Sequence, residues 1–203
     1  MKTTLLTLLF AGISLLAGAQ QFSLLKDINP GEASSNICYL TNVSNVLYFA
    51  ANDGVSGMEL WKTDGTEAGT KLVKDINPGS SSSSIGYLIA VHNFLFFVAN
   101  NGVNGTELWK SDGTTAGTVM VKDIRPGSMG GNPSALADVN GILYFAADDG
   151  VNGVELWKSD GTTAGTVMVK DISPFSGCSY PQALANINGT LFFSATDGVK
   201  GME

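Results

Sequence analysis

A repeat of 48 residues governs this chain. Trp61, Trp109 and Trp157 stand 48 apart, and Lys-Asp-Ile recurs at the same interval from Lys26, Lys74, Lys122 and Lys170. Residues 107–124 read ELWKSDGTTAGTVMVKDI, and residues 155–172 repeat them letter for letter. A fixed period of this length means one supersecondary unit used many times over, in an array or a ring. It also argues against a single catalytic centre, because most chemistry-bearing residues occur once per repeat.

The third repeat shows what the unit is. Residues 134–139 (SALADV) read as a strand, Asn140-Gly141 as a hairpin turn, and 142–147 (ILYFAA) as a second strand. Residues 149–153 turn the chain into a third strand at 155–159 (ELWKS), and 160–165 turn it again into a fourth at 166–172 (TVMVKDI). The longest breaks, 126–133 and 174–180, lie between units. Beyond the first residues no segment has the apolar period of an amphipathic helix. The second strand is apolar on both faces in every copy (46–51, 94–99, 142–147 and 190–195), whereas an antiparallel sheet with one wet face alternates. Continuous apolarity predicts sheets stacked face to face around an axis. The expected fold is all-β: a β-propeller, or part of one, built of four-stranded antiparallel blades. A β-solenoid fits four hairpin-linked strands less well.

The breaks phase the blades at 37–77, 85–125 and 133–173, with a partial blade from 181 to 203. Residues 22–28 match only the fourth strand of a blade, and the expectation is that this N-terminal strand completes the last one. The sequence stops at Met202-Glu203, where Leu-Trp is due. That reads as a fragment of a longer array of about six to eight blades. The other reading is a self-sufficient four-bladed ring that lacks one strand.

Residues 1–19 read as a secretory signal peptide: Lys2, a mostly apolar stretch from Leu5 to Leu16, then Ala17-Gly18-Ala19 before Gln20. The apolar run is shorter than a spanning helix needs, so no membrane span is expected. With 11 Lys and Arg against 18 Asp and Glu, the net charge of −7 disfavours nucleic acid and anionic lipid. Export permits a disulfide. Cys38 and Cys178 belong to the first and last repeats, which would be neighbours in a closed ring, so they are a candidate bridge. The alternative is two unrelated small buried residues.

Residues 59–79, ELWKTDGTEAGTKLVKDINPG, and their copies resemble the ELWxxDGT repeat family over nearly the whole of 20–203. The resemblance implies an exported bacterial repeat protein with a propeller-like fold and no established activity. Many relatives are large, and some carry a C-terminal sorting domain for type IX secretion, which this chain does not show. The Ala-Gly-Ala/Gln cleavage site is of the kind found in Bacteroidetes-like bacteria that use that route. A second resemblance joins Ala147, Asp149, Gly153 and Trp157 with Ala51, Asp53, Gly57 and Trp61, and with Ala99, Asn101, Gly105 and Trp109. This spacing is similar to the tryptophan-docking motif of quinoprotein propellers, where the indole packs on the neighbouring blade and the glycine admits close backbone approach. An aromatic platform for sugars is the alternative use of the indoles. No asymmetric residue set suggests a quinone or its metal.

Asp64-Gly65-Thr66, Asp112-Gly113-Thr114 and Asp160-Gly161-Thr162 read as turns. Calcium is the sharper alternative, with Asp148, Asp149, Asn152 and Glu155 the best cluster, although the second repeat offers Asn100, Asn101, Asn104 and Glu107 there. Each Lys-Asp pair points to opposite faces of a strand, and the expected use is a repeated salt bridge between strands or blades. His92 is the single histidine, and Asn140 and Asn188 hold its repeat position. No nucleophile elbow, metal-spaced cluster or phosphate loop is present, so no catalytic residue and no cofactor is expected. The expected function is a non-enzymatic, exported or cell-surface binding or adhesion module for an extracellular glycan or protein. Its ligand would sit on loops near 30–36, 78–84, 126–133 and 174–181, or on the hairpin turns. The alternatives are a partial propeller enzyme acting on polysaccharide and a purely architectural surface array, with further repeats as partners.

Overall fold

The structure is a computed structural model that describes residues 23–174 and 177–203. The expected signal peptide, 1–19, lies outside those residues. Among the described residues every regular element is a β-strand. The first unit holds β1 (Cys38–Val43), β2 (Val46–Asn52), β3 (Met58–Thr63) and β4 (Lys71–Lys74). The second holds β5 (Gly86–Val91), β6 (Phe94–Asn100), β7 (Thr106–Ser111) and β8 (Val119–Lys122). The third holds β9 (Ser134–Val139), β10 (Ile142–Asp148), β11 (Val154–Ser159) and β12 (Val167–Lys170), and the fourth β13 (Gln182–Ile187) and β14 (Thr190–Ser194). Each unit is its own antiparallel sheet with strands in chain order, and the sheets are not joined into a closed one. Register repeats as strictly as sequence does. Phe49 faces Trp61, Phe97 faces Trp109 and Phe145 faces Trp157 across the second and third strands.

The first strands of successive units, β1, β5, β9 and β13, lie side by side, and the sheets stack by their faces. One core joins the first two units: Tyr48, Ala50, Leu60 and Ile76 pack against Leu95, Phe97, Ala99 and Trp109. The next is its copy one unit on, with Phe96, Leu108 and Ile124 against Leu143, Phe145, Ala147 and Trp157. This explains the strand that is apolar on both faces: β6 lies between two sheets, giving Leu95, Phe97 and Ala99 to one core and Phe96 to the other. A buried indole removes about 150–250 Å2 from water, worth on the order of 4–6 kcal/mol as an upper bound.

Two expectations fail at the ends of the chain. Residues 23–28 form no strand. No described strand stands beside them to complete a ladder, and Ile28 instead packs onto Phe49, Ala51 and Trp61. In the fourth unit, Phe192 and Phe193 are 54% and 36% exposed, while Phe97 and Phe145 at the latter's position are fully buried. The fourth unit has two strands, so β14 is paired on one side only.

Candidate functional site

The repeated residues serve the joints between strands and units. Glu59, Glu107 and Glu155, the first letter of Glu-Leu-Trp, are fully buried. Each carboxylate accepts backbone N–H groups from the loop that leaves its own unit. Glu59 accepts from Ile76 (2.9 Å) and Ser83 (3.0 Å), and Glu107 from Ile124 (3.1 Å), Arg125 (3.1 Å) and Gly131 (2.7 Å). Glu155 accepts from Ile172 (2.9 Å) and Ser179 (3.1 Å), and from the Ser179 hydroxyl (2.7 Å). The glutamate is thus a clasp that fixes the crossing from the fourth strand to the next unit. Burial pushes Glu59 up to about 7 despite those donors, with Asp75 adding to the rise. Burial likewise raises Glu107.

The Asp-Gly-Thr segments are turns closed on themselves. Asp112 Oδ1 accepts from the Thr114 N–H (2.8 Å) and hydroxyl (2.7 Å), and Thr114 Oγ1 accepts from Gly117 N (2.9 Å). A Cβ on Gly69, Gly117 or Gly165 would overlap the aspartate it faces, which accounts for the second glycine of the motif. These turns hold the previous unit: Lys62 Nζ donates to Gly113 O and Lys110 Nζ to Gly161 O, both at 2.7 Å. Thr115 and Thr163 hydroxyls donate back to Val73 O and Val121 O.

The Lys-Asp pairs correct the expected salt bridge. Lys26, Lys74 and Lys122 donate to the carbonyls of Thr70, Thr118 and Thr166 in the following unit, at 2.7–2.9 Å. Lys74 and Lys122 also lie over Trp109 and Trp157, at 5.8 Å from the ring centres. The partner is a backbone carbonyl because the turn brings its peptide groups, not a carboxylate, to the end of the lysine. Among the described residues the salt bridge is instead Arg125–Asp148, residues outside the shared motif.

The tryptophans are 5–6% exposed. Trp109 and Trp157 sit in the cores between units, and Trp109 Nε1 donates to Ala99 O (3.1 Å). At Gly57 a Cβ would stand 2.8 Å from the backbone of Ser81, and at Gly105 and Gly153 it would overlap the matching loops. All three have positive φ, 70–74°. These glycines therefore let the exit loop cross the turn that precedes the indole's strand.

The calcium candidates do not converge. Asp149 Oδ1 accepts from Val151 and Asn152 N–H, Asp148 pairs with Arg125, and Glu155 is taken up by its loop. Asn152 donates its amide to Asp149 Oδ2 (2.7 Å). Among the described residues no three His, Cys, Asp or Glu side chains form a group that suits a metal. The Cys38–Cys178 bridge is not formed, and both thiols are free. Cys38 begins β1 beside the first core, while Cys178 Sγ accepts Val154 N in the exit loop of the third unit (3.3 Å). His92 lies in the β5–β6 turn against Gly141 of the next unit.

Three tyrosines without a counterpart in every unit gather elsewhere. Each first strand carries a bulge near its start, with a left-handed residue at one repeated position: Tyr39 (φ 57°), Tyr87 (52°), Ala135 (53°) and Ala183 (53°). The register slips beside it, between Cys38 and Thr41 and between Gly86 and Ile89. A bulge re-aims the side chain it carries, and Tyr39 and Tyr87 are 52% and 53% exposed. They bound a cavity of about 530 Å3 with Leu40, Thr41 and Leu88. A second cavity, about 320 Å3, adds Ser84, Thr106, Asn132 and Ser134, and a third, about 360 Å3, adds Tyr180, Pro181 and Gln182. Tyr87 lines all three, so they form one groove across the first strands of successive units. None of its lining residues is charged.

The loops expected to carry a ligand reach this groove at Ser84, Asn132, Pro133, Tyr180 and Pro181, whereas the first-strand tyrosines beside them are not expected there. Their signal is Tyr, Tyr, Ala, Ala at one repeat position, 39, 87, 135 and 183. No family model and no curated protein matches the chain. Among solved structures, an endo-arabinase from Bacteroides thetaiotaomicron VPI-5482 is similar at a TM-score of 0.34 and 11% identity, over 81% of this chain and 71% of that one. At that level the likeness bears on neither the fold nor the activity.

Proposed function

We propose that this chain is an exported, propeller-type scaffold of the ELWxxDGT kind that binds an extracellular ligand in the tyrosine-lined groove without chemically altering it. The propeller reading is supported by first strands lying side by side with four-stranded sheets stacked face to face behind them. Export rests on the signal peptide read at 1–19. The observation that carries the function is a division of labour. Glu, Trp, Lys and Asp-Gly-Thr hold the units together, while Tyr39, Tyr87 and Tyr180, whose repeat positions hold other residues in other units, meet on one groove. Binding clefts favour that layout: a rigid frame presenting a few variable polar and aromatic groups. Hydrolysis of a glycoside would need a pair of carboxyl groups facing the cleft. The groove's lining is uncharged, which favours binding over that chemistry.

The test uses residues 20–203 and two variants, Tyr39→Ala/Tyr87→Ala in the groove and Lys158→Met away from it. Retention on extracellular polysaccharide and protein fractions is measured together with release of reducing ends. The expected result is retention by the parent and by Lys158→Met, loss in the tyrosine variant, and no release. Retention by the tyrosine variant equal to the parent removes the groove from the reading, and steady release of reducing ends replaces binding with hydrolysis.

A further inference from the structure

We infer that the groove takes a neutral, polymeric glycan, with Tyr87 as the central stacking platform and Tyr39 and Tyr180 as flanking ones. The inference rests on the groove reading above and names its ligand. Three of the five tyrosines of the chain are more than half exposed, and all three line the same groove. A phenol ring offers an apolar face and a polar tip. A sugar ring is its complement, with C–H groups on its faces and hydroxyls around its edge. Thr41, Ser84, Asn132, Ser134 and Gln182 line the groove beside the rings. These hydroxyls and amides both donate and accept, as a hydroxyl-rich ligand requires.

Charge decides between ligand classes. The protein carries −7 overall, yet the groove presents neither cation nor carboxylate. A polyuronate, a sulfated glycan or a nucleic acid would meet no positive partner and a repelling surrounding field. A basic peptide would meet no carboxylate in the groove. A neutral sugar leaves no buried charge unpaired. The platforms are contributed by different units, Tyr39 by the first, Tyr87 by the second and Tyr180 by the loop after the third. Binding at linked subsites therefore strengthens as the chain of sugars lengthens.

The experiment is titration calorimetry of residues 20–203 with oligosaccharides of two to six units from β-glucan, xylan, mannan and arabinan. Polygalacturonate and chitosan serve as charged probes. The variants are Tyr87→Ala and Tyr87→Phe. Alanine is tolerated at this left-handed position, because Ala135 and Ala183 occupy it in the third and fourth units with the same φ. The expected result is binding of at least one neutral series, tightening with length. Tyr87→Ala should lose roughly tenfold, the worth of one stacked ring, while Tyr87→Phe stays within about threefold of the parent. Failure of all four neutral series, preference for a charged polymer, or equal binding by Tyr87→Ala overturns the glycan assignment. A protein ligand whose binding is lost in Tyr39→Ala/Tyr87→Ala would overturn it too, yet leave the groove as the binding surface.

Discussion

Two kinds of carboxylate in this protein respond to pH in opposite directions. Burial holds Glu59 at about 7 against an ordinary 4.5, so the folded state binds a proton more readily than the unfolded chain. Stability from that site is complete below the ordinary value and is lost as pH rises through about 7. The turn aspartates run the other way. The Thr114 hydroxyl and N–H hold Asp112 below its ordinary value, and Thr162 does the same for Asp160. Their contribution is present at neutral pH and fades as pH falls through the ordinary Asp range. The melting temperature should therefore peak in weak acid and decline from about pH 5 to pH 8. Asp75→Asn removes a neighbouring charge that raises Glu59, and should shrink that decline. A flat melting profile over this range, identical in parent and variant, would count against the buried-glutamate account. A second test concerns Gly117. Gly117→Ala forces the Asp112 side chain away from Thr114 and should cost about 0.5–1.5 kcal/mol in urea unfolding, the net worth of a hydrogen bond that water can replace. A loss below about 0.5 kcal/mol, the level of an ordinary surface change, would show that the turn does not depend on that carboxylate.

Between units the same lysine does different work depending on its neighbour in the stack. Lys62 and Lys110 each end on a carbonyl of the next Asp-Gly-Thr turn. Lys158 holds the equivalent place on β11 and makes no such bond among the described residues; beside it, Ile142, Tyr144, Asp160 and Val167 line an open cavity of about 360 Å3. Lys110→Met should therefore cost about 1.5–3 kcal/mol, as befits a charged donor leaving a carbonyl behind. Lys158→Met should change stability by no more than about 0.5 kcal/mol. Equal losses, measured by chemical denaturation, would mean that the inter-unit bond is not what holds the stack.

The stack is repetitive inside and open at its last sheet. β14 has a hydrogen-bonded neighbour on one side, β13, whereas β2, β6 and β10 have two. Its Phe192 and Phe193 are exposed. An apolar strand edge of this kind templates pairing with another strand. Residues 20–203 should therefore associate as concentration rises in sedimentation velocity, and Phe192→Lys should restore the monomer. A parent that stays monomeric at all concentrations would show that the edge is protected in solution.

Strands, turns and the number of units were legible because their causes are local. Period-two and all-apolar runs set strand faces, Asn-Gly and Asp-Gly-Thr set turns, and repetition set the count. The third unit's first strand matches its sequence reading to the residue, while its fourth is shorter, Val167–Lys170, because Ile172 beyond it turns its N–H to the Glu155 clasp. The indoles between sheets were also within reach, since a large apolar residue recurring every 48 positions suits a stacking surface. The uses of Glu155 and the Lys-Asp lysines were not. Their partners are backbone N–H and C=O groups far along the chain, 17–24 residues away for the glutamates and 44 for the lysines. Every residue carries such groups, so no letter of the sequence marks them. The bordering loops were legible but the groove's tyrosines were not, for a related reason: only packing sheet on sheet brings Tyr39 and Tyr87 of the bulged first strands to one uncharged surface with Tyr180.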